Sequence, residues 1–168
     1  MDQVIFMSKL HPLSVPLYQM AFSILKEEDA AKDHLQELYI KLWEKRNKLE
    51  NIQNLKNFAL KSMRNLCLDT LRSETHFDTL MTDLPSAGPG TLEKIEQKSL
   101  MKLIGQMIGR LPEMQRSIMR LRDIEGLDIN EIAFIMSITE NAVTANLSRA
   151  RKKIREQLTA LDTNLNRA

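Results

Sequence analysis

Residues 128–150 read DINEIAFIMSITENAVTANLSRA, and two helical periods meet in them. Ile132, Ala133 and Met136 fall on one face of a short helix over 128–136. "SIT" then interrupts the period, and Thr139 is placed to cap a second helix. In that helix Val143, Leu147, Ala150, Ile154, Leu158 and Leu161 step by four, three, four, four and three, one continuous apolar stripe. Two helices joined this way match a helix-turn-helix. That geometry needs a small residue where the helices cross (Ala133). It also needs an apolar residue before the turn (Met136), one in it (Ile138) and one in the second helix (Val143). Ser137 stands at the turn position that often holds glycine.

If the stripe faces inward, Asn141, Thr144, Ala145, Ser148 and Arg149 look outward from the front of the second helix, toward a groove. Arg151, Lys152 and Arg155 lie beside or beyond them and suit phosphates. Phosphate contacts position a protein and base-edge contacts specify sequence. Asn141 could pair with adenine, Arg149 with guanine, and Thr144 or Ala145 could meet a thymine methyl. A plain helical hairpin has the same pattern, so the motif alone leaves both readings open.

Charge sharpens the choice. The 168 residues carry a formal net charge of only +2. Residues 1–75 hold 11 basic against 10 acidic side chains, 76–98 hold 2 against 4, and 99–168 hold 11 against 8. Within 138–158 all 5 bases fall between Arg149 and Arg155. A short basic segment on a near-neutral chain points to a local phosphate contact, or else to a solvated helix face.

With 43% hydrophobic residues the chain can build a core, and 5% aromatic residues with only 5 Gly argue against an all-β fold. No apolar run is long enough to span a bilayer. "MDQVIFMSKLHPL" lacks the basic and apolar regions of a signal peptide. The single cysteine, Cys67, forms no internal disulfide, fits a reducing compartment, and reads as a small buried hydrophobe.

Working toward the N-terminus, Pro85, Gly88, Pro89 and Gly90 break the helical pattern. The expected organisation is a domain over 1–75, a flexible linker over 76–91 and a second domain over 92–168. The first half predicts three helices: about 12–26, about 30–48 with Asp29 as N-cap, and about 54–73. The second predicts four: about 92–110, about 112–123 with Pro112 in its first turn, 128–136, and the helix capped by Thr139. The fold class is therefore all-α, with a three-helix and a four-helix domain.

These stretches resemble a known family. LPEMQRSIMRLRDIEGLDINEIAFIMSITENAVTANLSRARKKIREQL, 111–158, resembles region 4 of the extracytoplasmic-function group of bacterial sigma factors. DAAKDHLQELYIKLW, 29–43, and NLKNFALKSMRNLCLDTLR, 54–72, resemble region 2 of the same group. The resemblance implies a protein that binds core RNA polymerase and directs it to promoters. Region 4 would read the −35 duplex through the helix bearing Asn141 to Arg155. Region 2 would hold the melted −10 strand. Asn51, Asn54 and Lys56 would pocket an unstacked base, and Lys61, Arg64, Asn65 and Arg72 would line the strand. Asp33, Gln36, Glu37, Ile40 and Lys41 would dock on the polymerase. An anti-sigma factor, cytoplasmic residence and no direct membrane insertion are also implied.

The sequence departs from the family pattern at Phe58 (usually Trp), Lys32 (usually acidic) and His34 (usually aliphatic). His34 lacks a nearby His or Cys partner and reads as structural. Tyr39 and Trp43 read as core. No glycine-rich phosphate loop, metal-spaced His/Cys set or nucleophile–base pair is present, so no enzyme activity, cofactor or metal is expected. Two other readings remain at this level: a helix-turn-helix regulator independent of polymerase, and a helical adaptor without a nucleic-acid role.

Overall fold

A computed structural model of the chain describes residues 2–77 and 97–165, with backbone only for 74–77, 97–101 and 162–165. Every regular element among them is helical. In order these are α1 (Gln3–Leu10), a 3-10 turn (His11–Leu13), α2 (Ser14–Leu25), α3 (Glu28–Glu44), α4 (Arg46–Leu49) and α5 (Leu55–Phe77). After residues 78–96 come α6 (Gln97–Gly109), α7 (Glu113–Met119) with a π-helical turn (Arg120–Ile124), α8 (Ile129–Met136) and α9 (Glu140–Leu165). Most of the expected linker lies outside the described residues. Its first two positions, 76 and 77, belong to α5, which runs longer than its apolar stripe.

α2, α3 and α5 form the body of the N-terminal half, burying Leu17, Met20, Ala21, Leu38, Leu42, Leu60 and Met63. Two short helices join the three that the periodicity predicts. α1 tethers through Phe6 and Leu10, two buried positions that are too few to show a period. Phe6 meets Trp43 edge to face at 5.0 Å, so Trp43 is core as expected. Tyr39 donates to Leu10 O at 3.4 Å.

Asp29 is not the N-cap of α3. The cap position is Glu27, because Lys26 turns left-handed (φ 63) to end α2 and leaves one extended residue before α3 begins. Asp29 sits instead in the first turn with Glu28, where negative charge suits the helix dipole. Pro112 likewise occupies the N-cap position of α7, one place before the first turn.

The C-terminal half contains four helices in the expected order, the first described from Gln97 on; positions 92–96 of its expected range lie outside the described residues. Asp128 and Glu131 cap α8 reciprocally, each side chain accepting from the other's backbone N–H. Ser137 takes the left-handed conformation (φ 56, ψ 43), the backbone that favours glycine in this turn. Thr139 Oγ1 accepts from Ala142 N at 3.2 Å, capping α9. Val143, Leu147, Ala150 and Ile154 are all buried. Ala133, Met136 and Val143 pack in one core, with Ile138 against it.

The two halves do not stand apart. One hydrophobic cluster runs from Phe6 and Leu10 through α2, α3 and α5 into Ile118, Ile132, Ile135 and Val143. A second, smaller cluster, including Met107, Ile108, Leu111, Ala150 and Ile154, seats α6 on α9. The junction is pinned at its centre by Arg116, the arginine of LPEMQR. Its Nη1 donates to Gly109 O at 3.1 Å and Leu111 O at 2.8 Å, and its Nη2 to Ser23 O. These carbonyls lie at or near the C-terminal ends of α6 and α2, which lack intrahelical donors. Lys26 Nζ also reaches Gly109 O, at 3.2 Å. Burial, with Arg116 and Arg120 nearby, pushes the Lys26 pKa down.

Candidate nucleic-acid interface

α9 presents the expected outward row. Asn141, Thr144, Ser148 and Arg149 are exposed, and Ala145 is half-buried among them. Thr144 Oγ1 bonds back to Glu140 O at 3.0 Å and Asn146 Nδ2 to Ala142 O at 2.8 Å, which fixes the polar front of the helix. Arg151, Lys152 and Arg155 follow, all exposed. Arg151 Nη2 lies 2.6 Å from Asp123 Oδ1, and Lys152 Nζ lies 3.9 Å from Glu156 Oε1. Carboxylates of the C-terminal half thus already engage two of the three phosphate-suited bases.

The α3 residues Asp33, Gln36, Glu37, Ile40 and Lys41 are exposed together on one face. Ile40 is 60% exposed, high for a large apolar side chain. Lys41 pairs with Glu37 at 2.7 Å. His34, on the other side of α3, is buried. Its Nδ1 donates to Ala30 O at 2.8 Å and its Nε2 meets Thr70 Oγ1 at 2.8 Å, so it ties α3 to α5. Cys67 is buried too, and burial pushes its thiol up to about 12, so it stays protonated and packs as an apolar group.

The residues expected to hold a strand are split. Asn51, Asn65 and Arg72 are exposed, with Arg72 3.4 Å from Asp69. Arg64 is buried, 8% exposed, so it does not line a surface in this conformation. Asn54, Lys56 and Lys61 all face the C-terminal half. Asn54 first caps α5, its Oδ1 accepting from Asn57 N at 3.0 Å. Its Nδ2 then donates to Glu131 Oε1 at 3.2 Å. Lys56 Nζ lies 2.9 Å from Glu125 Oε2, and Lys61 Nζ sits over the Phe134 ring at 4.1 Å.

Asn57 belongs with this group. Its Nδ2 donates to Glu131 Oε1 at 2.8 Å, and it is 6% exposed. Its place three residues after the Asn54 cap is the signal that could have found it. A cavity of about 320 Å³ lies here, with Asn54, Asn57 and Phe58 on one side and Asn130, Glu131 and Phe134 on the other. Phe58 lines it with a bare ring where the family usually has tryptophan. Among the described residues no group of His, Cys, Asp and Glu could hold a metal ion. Nor is any of their helices long and apolar enough to cross a membrane.

Comparison with known proteins agrees with both halves. The family model for sigma-70 region 2 matches residues 12–77, and that for sigma-70 region 4 matches residues 101–154. A probable RNA polymerase sigma factor, RfaY, of Xanthomonas campestris is 25% identical over 146 residues, covering 83% of this chain. The chain spans only 36% of the length of that relative. RNA polymerase sigma factor SigV of Bacillus subtilis is 28% identical over 146 residues, covering 86% of each chain. Further similar proteins carry the extracytoplasmic-function designation. The fold resembles that of sigma factor RpoE from Bartonella quintana, solved in complex with the anti-sigma factor NepR. The TM-score is 0.71 at 22% identity, over 92% of this chain and 96% of that one. The helix-turn-helix and the two family matches, one to each half, lead to one assignment: the chain belongs to the sigma-70 family of RNA polymerase sigma factors, in its extracytoplasmic-function group.

Proposed function

We propose that α9 reads the −35 element of a promoter as duplex, while the start of α5 and the loop before it hold an unstacked base of the −10 element. The protein itself is an alternative sigma factor, directing core RNA polymerase to promoters. The observation that carries the residue assignment is the sorting of α9. Val143, Leu147, Ala150 and Ile154 of its apolar stripe are buried, and every polar or basic residue of α9 assigned to DNA is exposed. Asn141 and Arg149 carry the base-reading chemistry, and Arg151, Lys152 and Arg155 the phosphate chemistry. The exposed α3 face around Ile40 is the polymerase contact. The related fold of RpoE was solved with an anti-sigma factor, and we extend a partner of that kind to this chain. The protein does no chemistry of its own and resides in the cytoplasm with its polymerase.

Run-off transcription with purified core polymerase on a promoter library tests this reading. The expected result is a set of start sites absent with core alone. No promoter-dependent product, with no inhibitor present, would overturn it.

A further inference from the structure

We infer that Glu140 is a base-reading residue of α9, whose carboxylate selects a cytosine in the −35 element and rejects guanine and thymine at that position. The inference rests on the −35 reading above and adds to it a residue outside that set. Glu140 is the first residue of α9, and it is exposed. In a helix-turn-helix the N-terminal residues of the second helix meet the base edges. Residues four apart lie beside one another on a helix. Thr144 and Ser148, both on the outward row, follow Glu140 at that spacing. Thr144 Oγ1 donates to Glu140 O at 3.0 Å, so the two adjoin on the helix surface. Glu140 therefore stands at the tip of the row, ahead of the neutral stretch from Asn141 to Ser148.

The start of α9 does not need this carboxylate as its cap. Thr139 supplies the cap, its Oγ1 accepting from Ala142 N at 3.2 Å. The acids beside the bases of α9 are engaged: Asp123 holds Arg151 at 2.6 Å, and Glu156 lies 3.9 Å from Lys152. Among the described residues the Glu140 side chain has neither an ion pair nor a hydrogen bond. An acid in a first turn suits the helix dipole, and that contribution is the same whatever DNA the helix meets.

A bare carboxylate brought against DNA is repelled by the phosphates. It offers acceptors alone, so it gains in the major groove only where a base presents a donor. Cytosine presents its N4 amino group there and no acceptor of its own. Guanine presents N7 and O6, and thymine O4, all acceptors that would face the acid with no proton between them. Adenine has an N6 donor, but N7 lies beside it. Cytosine is the base that fits, and the acid works as much by excluding the other bases as by binding this one.

The experiment uses the full-length protein with core polymerase on a promoter library whose −35 region is randomised, and counts run-off transcripts by sequencing. Wild type, Glu140→Ala and Glu140→Gln are compared. Wild type should prefer cytosine at one −35 position, on one strand, by about tenfold. Glu140→Ala should lose that preference. Transcripts from promoters with guanine or thymine there should rise, and the preferences at other positions should stay. Glu140→Gln should move the preference toward adenine, because an amide pairs with both N6 and N7. A role in the helix start alone would lower transcription from every promoter by one factor and leave every preference in place, which overturns the inference. So does a lost preference for any base other than cytosine. If alanine frays the helix start and silences every promoter, the base preference of Glu140→Gln decides: a shift from cytosine to adenine upholds the inference and an unchanged profile overturns it. Transcripts with unchanged preferences refute the role of Glu140 alone, while no transcripts from any of the three proteins refute the promoter reading and this inference with it.

Discussion

Replacing Arg116 with methionine measures what holds the two halves on one core. The side chain is 5% exposed and serves three carbonyls, at Gly109, Leu111 and Ser23. Methionine fills much of the volume and supplies no donor. Gly109 O retains Lys26 Nζ at 3.2 Å, so the substitution strands the carbonyls of Leu111 and Ser23. A stranded buried acceptor costs about 1–3 kcal/mol. Removing the guanidinium gives part of this back, because burial opposes its charge and pushes its pKa down. The net expectation is a loss of about 3 kcal/mol. For a chain of this size that lowers Tm by roughly 6–12 °C. Urea unfolding followed by circular dichroism should show an earlier midpoint. Arg116→Lys keeps the charge, but a single ammonium cannot serve carbonyls from two helix ends, so it should lose about half as much. A methionine variant within about 1 kcal/mol of wild type would show that these carbonyls are satisfied by water, and the pin would not exist.

Three further outcomes are expected. Ser137→Gly relieves a left-handed strain of about 1 kcal/mol but adds unfolded-state freedom, for a net gain of about 0.5 kcal/mol; a lower Tm would mean that the serine supports the turn. Arg149→Ala should weaken −35 duplex binding by about 1–3 kcal/mol, and Lys152→Ala should reduce the salt slope by about 1, with core binding kept in both; loss of core binding would place the polymerase contact on the wrong face. Glu131 has its carboxyl held below its ordinary 4.5, first by the Asp128 N–H, then by Asn57 and Asn54, with Lys56 adding attraction. A depressed carboxyl adds stability above its unfolded value and loses it as pH falls through the folded one. Thermal melts from about pH 5 to about pH 3 should therefore drop more for wild type than for Glu131→Gln, and parallel curves would show that the carboxylate contributes nothing.

The sequence shows most clearly what repeats. Val143, Leu147, Ala150 and Ile154 recur at the helical period, and all four are buried. Thr139 follows from local chemistry, because a cap needs only a hydroxyl at the right offset. Asp29 failed for a local reason as well: where α3 starts depends on the left-handed Lys26, and nothing in the sequence forces a lysine into that conformation. α1 escaped because two buried residues set no period. The junction of the halves was the least visible feature. Glu131 has a sufficient local reason in the capping box of α8, and its second role depends on an asparagine 74 positions away. A long-range contact made by a residue with a sufficient local reason leaves no trace in spacing. Arg64 illustrates the same limit from the other side. Its polarity predicts a surface, but in the fold it is only 8% exposed.

The modest net charge now has a structural counterpart. Of the bases assigned to nucleic acid, Lys56, Arg72, Arg151 and Lys152 each lie within 4.0 Å of a carboxylate of the same chain. An exposed pair contributes little to stability, so a phosphate can displace the carboxylate at small cost. The attraction at a distance is nevertheless reduced, since these four cations approach DNA with an acid beside each. Non-specific binding, which rests almost wholly on phosphate contacts, is suppressed more than specific binding, which adds base-edge contacts. On the proposed reading of α9, Asn141, Thr144 and Ser148 at its neutral front would therefore carry a larger share of recognition than they would on a strongly basic helix. A sigma factor built this way gains little from DNA alone and depends on the polymerase to bring both of its halves to a promoter.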